Sequence, residues 1–322
     1  MNRFLPLCIA LVGWLAFSPF QQAAAQSQRL AFHVQKDFRR DNSLFRNAEM
    51  PDKKRSRYVT GIAAGSYGLS MAYLGTVWYA QEELGPFHFF DDSHEWKQID
   101  KLGHALGGYH ASRLLIDLYK WSGTEKKKAL VIGGLGGLAM MSTIEVFDGF
   151  SANWGASVSD MGANLFGSSL AVANQALWHE DRIQLKVGYR KSPYADVDSL
   201  QYLFGSNPAE WFLKDYNGHT LWMSFRVHSF LPEGGFKDAY PRWLNLAVGY
   251  GAEGLKGGYD DPDKAYLLHE YRQYYLGLDI DLANIRTRSG FLNSLFSVVN
   301  IVRIPLPALR VDKKGLAFRI IE

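Results

Sequence analysis

Arg182-Ile183-Gln184-Leu185-Lys186-Val187-Gly188-Tyr189 is the stretch where the chain changes its period. Ile183, Leu185, Val187 and Tyr189 fall on one side of an extended backbone, with Gln184, Lys186 and Gly188 on the other. Alternation of this kind predicts a half-buried antiparallel strand. The pattern returns over 221–227, 244–250, 274–282 and 316–320, and in the 274–282 run Asp279 and Asp281 take the side opposite the apolar residues, where they are expected to meet solvent. Five strands are too few for a closed transmembrane barrel, which needs about eight. The expectation is an open, curved antiparallel sheet whose apolar face is covered by the other half of the chain. A short apolar helix over 291–302, stopped by Ile304-Pro305-Leu306-Pro307, interrupts the last two strands.

Upstream of Arg182 the period is helical. Four segments are predicted, at about 58–79, 95–121, 125–147 and 156–178. The fold class is therefore α+β: a bundle of about four helices over 58–180, then a β-rich region over 181–322. Glycine recurs in the helices at Gly107, Gly108, Gly133, Gly134, Gly136, Gly137, Gly162 and Gly167. Each costs about 1 kcal/mol relative to alanine, so their repetition points to closely approaching backbones. Gly134-x-Gly136-x-x-Ala139 imitates a dinucleotide fingerprint, but no strand precedes it and no cofactor-binding loop is expected.

The first helical segment is uncharged and long enough to span a bilayer. Basic runs, Lys53-Lys54-Arg55-Ser56-Arg57 and Lys126-Lys127-Lys128, precede the first and third helices, and acidic residues follow both. The positive-inside rule would put the start of the first helix in the cytoplasm. A cleaved export signal would put it outside. The reading that reconciles these is a compact bundle in the envelope rather than a set of conventional inner-membrane spans.

Residues 1–25 have the layout of an export signal: Arg3, an apolar core over 5–20, and Ala23-Ala24-Ala25 before the expected cleavage. A polar segment, 26–57, follows. The only cysteine, Cys8, lies inside the signal, which leaves the mature chain without a disulfide, a thiolate metal site or a cysteine nucleophile. A net charge of +3 with no dense basic face excludes a nucleic-acid module. Aromatic residues make up 14% of the chain, a level that suits a membrane interface; membrane lipids or envelope proteins are the expected partners.

Ionisable residues interrupt the apolar helices, where an unpaired charge is costly. Asp100 and His104, four apart, share a helix face. Asp160 and Asn164 repeat that spacing, and Glu145 and Asp148 close the third helix. Three helices can thus aim carboxylates and an imidazole at one point. Asp100, His104, Glu145 and Asp160 are the candidate acid–base residues. His104, Glu145, Asp148 and Asp160 are the candidate ligands of a divalent cation. The same positions also fit a structural network of Asp100, Lys101, His104, Glu145, Asp160 and Asn164 that fixes helix register. His110 and Arg113, on another arc of the second helix, are expected at the solvated surface.

The ordered set Asp100-Lys-x-x-His104, Glu145-Val-Phe-Asp148 and Ser157-x-x-Asp160-x-x-x-Asn164-x-x-Gly167 resembles the YfiM-like family of predicted periplasmic lipoproteins over roughly 95–180, and more distantly VanZ-like membrane proteins. The resemblance implies an envelope location and a small helical bundle, and no established activity. The chain lacks the lipoprotein cysteine of that pattern, and the β-rich half lies outside it.

Gly-x-Ser-x-Gly, the Walker loop and His-Glu-x-x-His are all absent. The leading expectation is a structural or accessory envelope protein that is not an enzyme. The alternatives are a metal-dependent or acid–base hydrolase acting on a lipid or cell-wall substrate, and a lipid or peptide binder that uses the apolar strand face as a pocket wall.

Overall fold

The computed structural model describes residues 47–79, 83–258 and 270–320. The expected export signal, Cys8 and the polar stretch up to residue 46 lie outside the described residues. The architecture is α+β, as expected. Helices α1 (Lys53–Leu74), α2 (Ile99–Trp121), α3 (Lys126–Asp148) and α4 (Val158–Ala173) precede an antiparallel sheet.

α1 starts earlier than the apolar run suggested because the Asp52 carboxylate accepts the backbone N–H groups of Lys54 and Arg55. α2 starts later, at Ile99. The three residues before it, Trp96, Lys97 and Gln98, have φ of 49°, 50° and 67°. Left-handed backbone costs an ordinary residue about 1–2 kcal/mol. Neighbouring contacts hold it here: Trp96 N–H donates to Gly258 O at 2.7 Å, the Trp96 ring meets Tyr216 edge-on at 5.1 Å, and Tyr250 Oη–H donates to Lys97 O.

α2 runs between α3 and α4, and glycine sets its distance from both. A Cβ on Gly167 would lie 1.9 Å from Ala105 O, and one on Gly137 would lie 2.4 Å from Ser112 N. The dinucleotide-like Gly134-x-Gly136 sits in mid-helix, with Gly134 against Val172, which removes the strand–turn–helix context such a motif needs. Among the described helices, α3 is the one long and apolar enough to cross a membrane by length and composition. α1 has the length but not the hydropathy, which corrects the expectation for the first segment.

The sheet has six described strands in sequential order: β1 (Ile183–Tyr189), β2 (His219–Phe225), β3 (Leu244–Glu253), β4 (Tyr271–Ile280), β5 (Ala308–Asp312) and β6 (Gly315–Arg319). β5 was not anticipated; it forms directly behind Pro305 and Pro307 and alternates Leu309 and Val311 with buried Ala308 and Arg310. β2 ends at Phe225, and Val227 begins a helical turn instead of continuing the strand. The edge of β1 is met by residues 301–303: Val187 N–H donates to Ile301 O at 2.9 Å and Arg303 N–H to Val187 O at 2.8 Å.

The faces of the sheet are the main departure from expectation. The helices cover the apolar face at β1 and β2 and at the end of β3, where Leu185, Val187, Leu221, Tyr250 and Ala252 join the helical core. The opposite, polar face is the buried one. Asp279 and Asp281, expected to be solvated, are both fully buried. Asp279 Oδ2 lies 2.7 Å from Lys186 Nζ and accepts Ser224 Oγ–H at 2.6 Å. Asp281 Oδ2 accepts from Gln184 Nε2 and Arg226 Nη2, both at 2.8 Å. The strong curl of the sheet brings these groups together, so that mutual pairing replaces water.

His110 and Arg113 are also not surface groups. His110 Nε2 lies 2.7 Å from Leu185 O. Arg113 Nε donates to Asp181 Oδ2 at 2.8 Å and its Nη2 to Ser297 Oγ at 2.6 Å. The pair fastens α2 to the first strand and to α5 (Gly290–Val299), the apolar helix expected over 291–302.

Candidate functional site

The four-residue spacing on α2 and on α4 does what helical geometry requires. One ligand atom from each of Asp100, His104 and Asp160 falls within 4.8 Å of the others. Asp160 is set by the cap of α4, where Ser157 Oγ accepts its backbone N–H at 3.0 Å. From the end of α3, Glu145 Oε1 lies 3.4 Å from His104 Nδ1, and Asn164 Oδ1 lies 3.2 Å from the same nitrogen. Glu145 Oε2 accepts the Ser157 backbone N–H at 3.1 Å. The three helices therefore converge at these residues.

Lys101 is the internal counter-ion of the cluster. Its Nζ lies 2.5 Å from Asp92, 3.0 Å from Asp160 and 3.2 Å from Asp100. Burial disfavours its charge, but the carboxylates outweigh that and hold its pKa above the ordinary lysine value. His104 behaves alike: burial works against its protonation, and Asp100, Asp160 and Glu145 raise its pKa nevertheless.

The acids split into two kinds. Asp92 is held down at about 2 despite burial, by hydrogen bonds involving Asp160, Lys101, Ser157 and Ser159. Burial, reinforced by the Asp100 charge, pushes Asp160 up to about 8. Burial likewise pushes Glu145 up to about 7 and Asp148 up to about 6. Asp148 stands apart from the convergence, with Oδ1 accepting Tyr79 Oη–H at 2.6 Å. Two buried oxygens, Asp160 Oδ1 and Glu145 Oε1, accept no hydrogen bond.

These groups form one pole of a cavity of about 320 Å³ between the bundle and the sheet. Its other walls are mostly apolar, among them Leu74, Met141, Ile144, Trp154, Phe212 and Leu221, with Glu95 and His219 also on the lining. The strand residues Val187 and Leu221 do serve as a wall. Several residues of the site carry no local sequence signal. Asp92 lies in a loop, and Tyr216, whose Oη–H donates to Asp100 Oδ1 at 2.8 Å, is 116 positions from its partner. Phe212 comes from a two-turn helix, 208–214, in the β-rich half.

Convergence of the three motifs is the decisive observation for relationship as well as for chemistry. Residues 88–176 match the family described as predicted periplasmic lipoprotein (DUF2279). The match spans the segment that carries Asp92, Asp100, Lys101, His104, Glu145, Asp148, Asp160 and Asn164. It places the chain among exported, envelope-associated proteins and agrees with the lipoprotein-family likeness of the motifs; it does not extend to the VanZ-like one. No curated protein and no solved structure matches the chain.

Proposed function

We propose that this envelope protein binds an amphipathic ligand in the cavity between its bundle and its sheet, with an apolar tail against the aromatic and aliphatic walls and a positively charged head at the acid–His pole. The observation that carries the reading is the cavity itself. A purely structural network, the leading expectation from the sequence, would satisfy its own polar atoms and leave no space beside them. Here Asp160 Oδ1 and Glu145 Oε1 lack hydrogen bonds, and the residues that own them line about 320 Å³ of mostly apolar space. Lys101, Asp92 and Asn164 then act as the structural part of the network, holding the pole in place.

Gly103 supplies the test. It lines the cavity, and a Cβ there would meet nothing within 4 Å. Gly103→Phe should therefore fill the cavity while leaving the helix intact. Delipidated protein should bind a long-chain alkylammonium saturably, read from Trp fluorescence, and bind the matching alkyl alcohol more weakly. Gly103→Phe should lose both. Absence of saturable binding in the wild type, or undiminished binding in Gly103→Phe, would overturn the reading.

A second reading is favoured by the Asp100, His104 and Asp160 cluster: a divalent cation held there, with Glu145 as a further ligand or base, serving a hydrolase. The donor set fits in part. Asp160 and Glu145 each offer an oxygen that accepts no hydrogen bond, that of Glu145 lying 3.4 Å from His104 Nδ1, whereas both Asp100 oxygens are engaged, by Tyr216 and by Lys101. Stoichiometric Zn²⁺ or Mn²⁺ retained after dialysis and lost in Asp160→Ala would support it. Retention unchanged in that variant would sink it.

A further inference from the structure

The apolar face of β3–β6, far from the cavity, is ordered in a way that packing within the chain does not require. Pairing register lines its outward residues into rows across the strands. Leu246 and Leu278 form one row; Val248, Leu276, Leu309 and Phe318 form the next; Tyr250, Tyr274, Val311 and Leu316 form a third. Apart from the half-buried Tyr250, every one of these side chains is exposed. No charged residue occurs among them. Beyond the tyrosine row come basic groups: exposed Arg272, whose Nε donates to Tyr250 Oη at 3.0 Å, and, in the β5–β6 turn at the same end of the sheet, exposed Lys313 and Lys314, whose ammonium groups lie over the Tyr271 ring. Trp243, also exposed, stands at the opposite end of β3.

The face cannot turn inward. Slipping β1 or β4 by one residue would expose Lys186 or Asp279, which are buried and paired on the concave side. The helical bundle already lies on β1, β2 and the Tyr250–Ala252 end of β3, and leaves the rest of the β3–β6 face open.

We infer that this face seats the protein in a lipid bilayer carrying anionic headgroups. A protein partner has no reason to be layered. A bilayer is, and the order apolar rows, aromatic row, basic row matches its hydrocarbon, interface and headgroup zones. From Tyr274 to Leu278 the exposed band is about 14 Å tall at ~3.4 Å per residue. Spanning barrels carry a band of about 25 Å around a closed wall. The shorter, one-sided band here enters the membrane without crossing it, with Arg272, Lys313 and Lys314 at the headgroups. This inference concerns a different surface from the cavity and stands or falls independently of the ligand proposed there.

The test is vesicle flotation of the full chain in detergent-free buffer, with phosphatidylcholine vesicles containing or lacking phosphatidylglycerol. The wild type should float with both, and at least tenfold more with the anionic ones at low salt. Leu276→Ser/Phe318→Ser should cut flotation at least tenfold on both vesicle types, while retaining the wild-type far-UV spectrum and a cooperative thermal melt. Lys313→Gln/Lys314→Gln should lose only the preference for anionic lipid and its salt dependence. Three results would overturn the inference: no flotation of the wild type; a face variant that floats like the wild type, which would assign binding to another surface; or a concentration-dependent wild-type dimer that the face variant abolishes, which would make a second copy the occupant.

Discussion

Lys186 Nζ and Asp279 Oδ2 meet at 2.7 Å inside the curl of the sheet, and neither side chain is exposed. The ammonium also donates to Ile280 O at 2.8 Å and Asn300 Oδ1 at 3.0 Å. Burial lowers the lysine pKa, and the Asp279 charge opposes that. Removing one partner strands the other, which costs about 3–5 kcal/mol, whereas removing both as a pair costs far less. Lys186→Met should therefore destabilise the chain by about that amount. Lys186→Met/Asp279→Leu should recover much of the loss. Urea denaturation of the four proteins of the cycle measures the coupling.

The acids of the cavity give the bundle a pH dependence whose sign can be worked out. Burial holds Asp160, Glu145 and Asp148 at about 8, 7 and 6 in the folded state, above the ordinary carboxylate values of 3.8, 4.5 and 3.8. The native state thus holds more protons than the unfolded state between about pH 4 and 8, and stability falls as pH rises through that window. His104, also raised, contributes stability below its ordinary value that is lost as pH climbs past its folded pKa. Tm should drop by a few degrees from pH 5.5 to pH 8.5, and Asp160→Asn should flatten the slope. A Tm that rises over this interval would contradict the assignment.

Lys101 separates the structural from the cation-binding view of the pole. Lys101→Met leaves Asp92, Asp100 and Asp160 without their shared ammonium, and a loss of about 3–5 kcal/mol is expected. If the vacated position accepts a divalent ion, millimolar Mn²⁺ or Zn²⁺ should raise the Tm of this variant much more than that of the wild type. Thermal melts with and without EDTA decide the matter.

Spacing made the convergence of Asp100, His104, Glu145 and Asp160 legible, because i to i+4 pairs on successive helices can be read without knowing the packing. Lys101 was legible only as a neighbour of Asp100; its contact with Asp92 depends on the loop that carries Asp92 back over the start of α2. Tyr216 and Phe212 reach the cavity from the second half of the chain, and nothing local marks them. The period-two runs marked five of the six described strands but not their sides. Alternation shows that two faces differ, not which one is covered, and default burial of the apolar side put Asp279 and Asp281 in water. Their burial follows from the curl, a long-range property that brings Lys186 from β1 to Asp279 on β4.

Glycine offers the cleanest separation of tertiary packing from helix propensity. Gly162 and Gly167 lie on the same helix, α4. A Cβ at Gly162 meets nothing within 4 Å, whereas one at Gly167 would lie 1.9 Å from Ala105 O. Propensity alone favours alanine at both by about 1 kcal/mol. Gly162→Ala should therefore stabilise the protein by up to about that amount. Gly167→Ala must push α2 away from α4, and because the clash is with a backbone carbonyl, no rotamer change relieves it. A loss of about 1–3 kcal/mol or more is expected from such overpacking. It should be accompanied by loss of the alkylammonium response, since α2 carries Asp100 and His104 and α4 carries Asp160. Similar small stabilisation at both positions would mean that the helices are free to separate, and that the pole is not held by their contact.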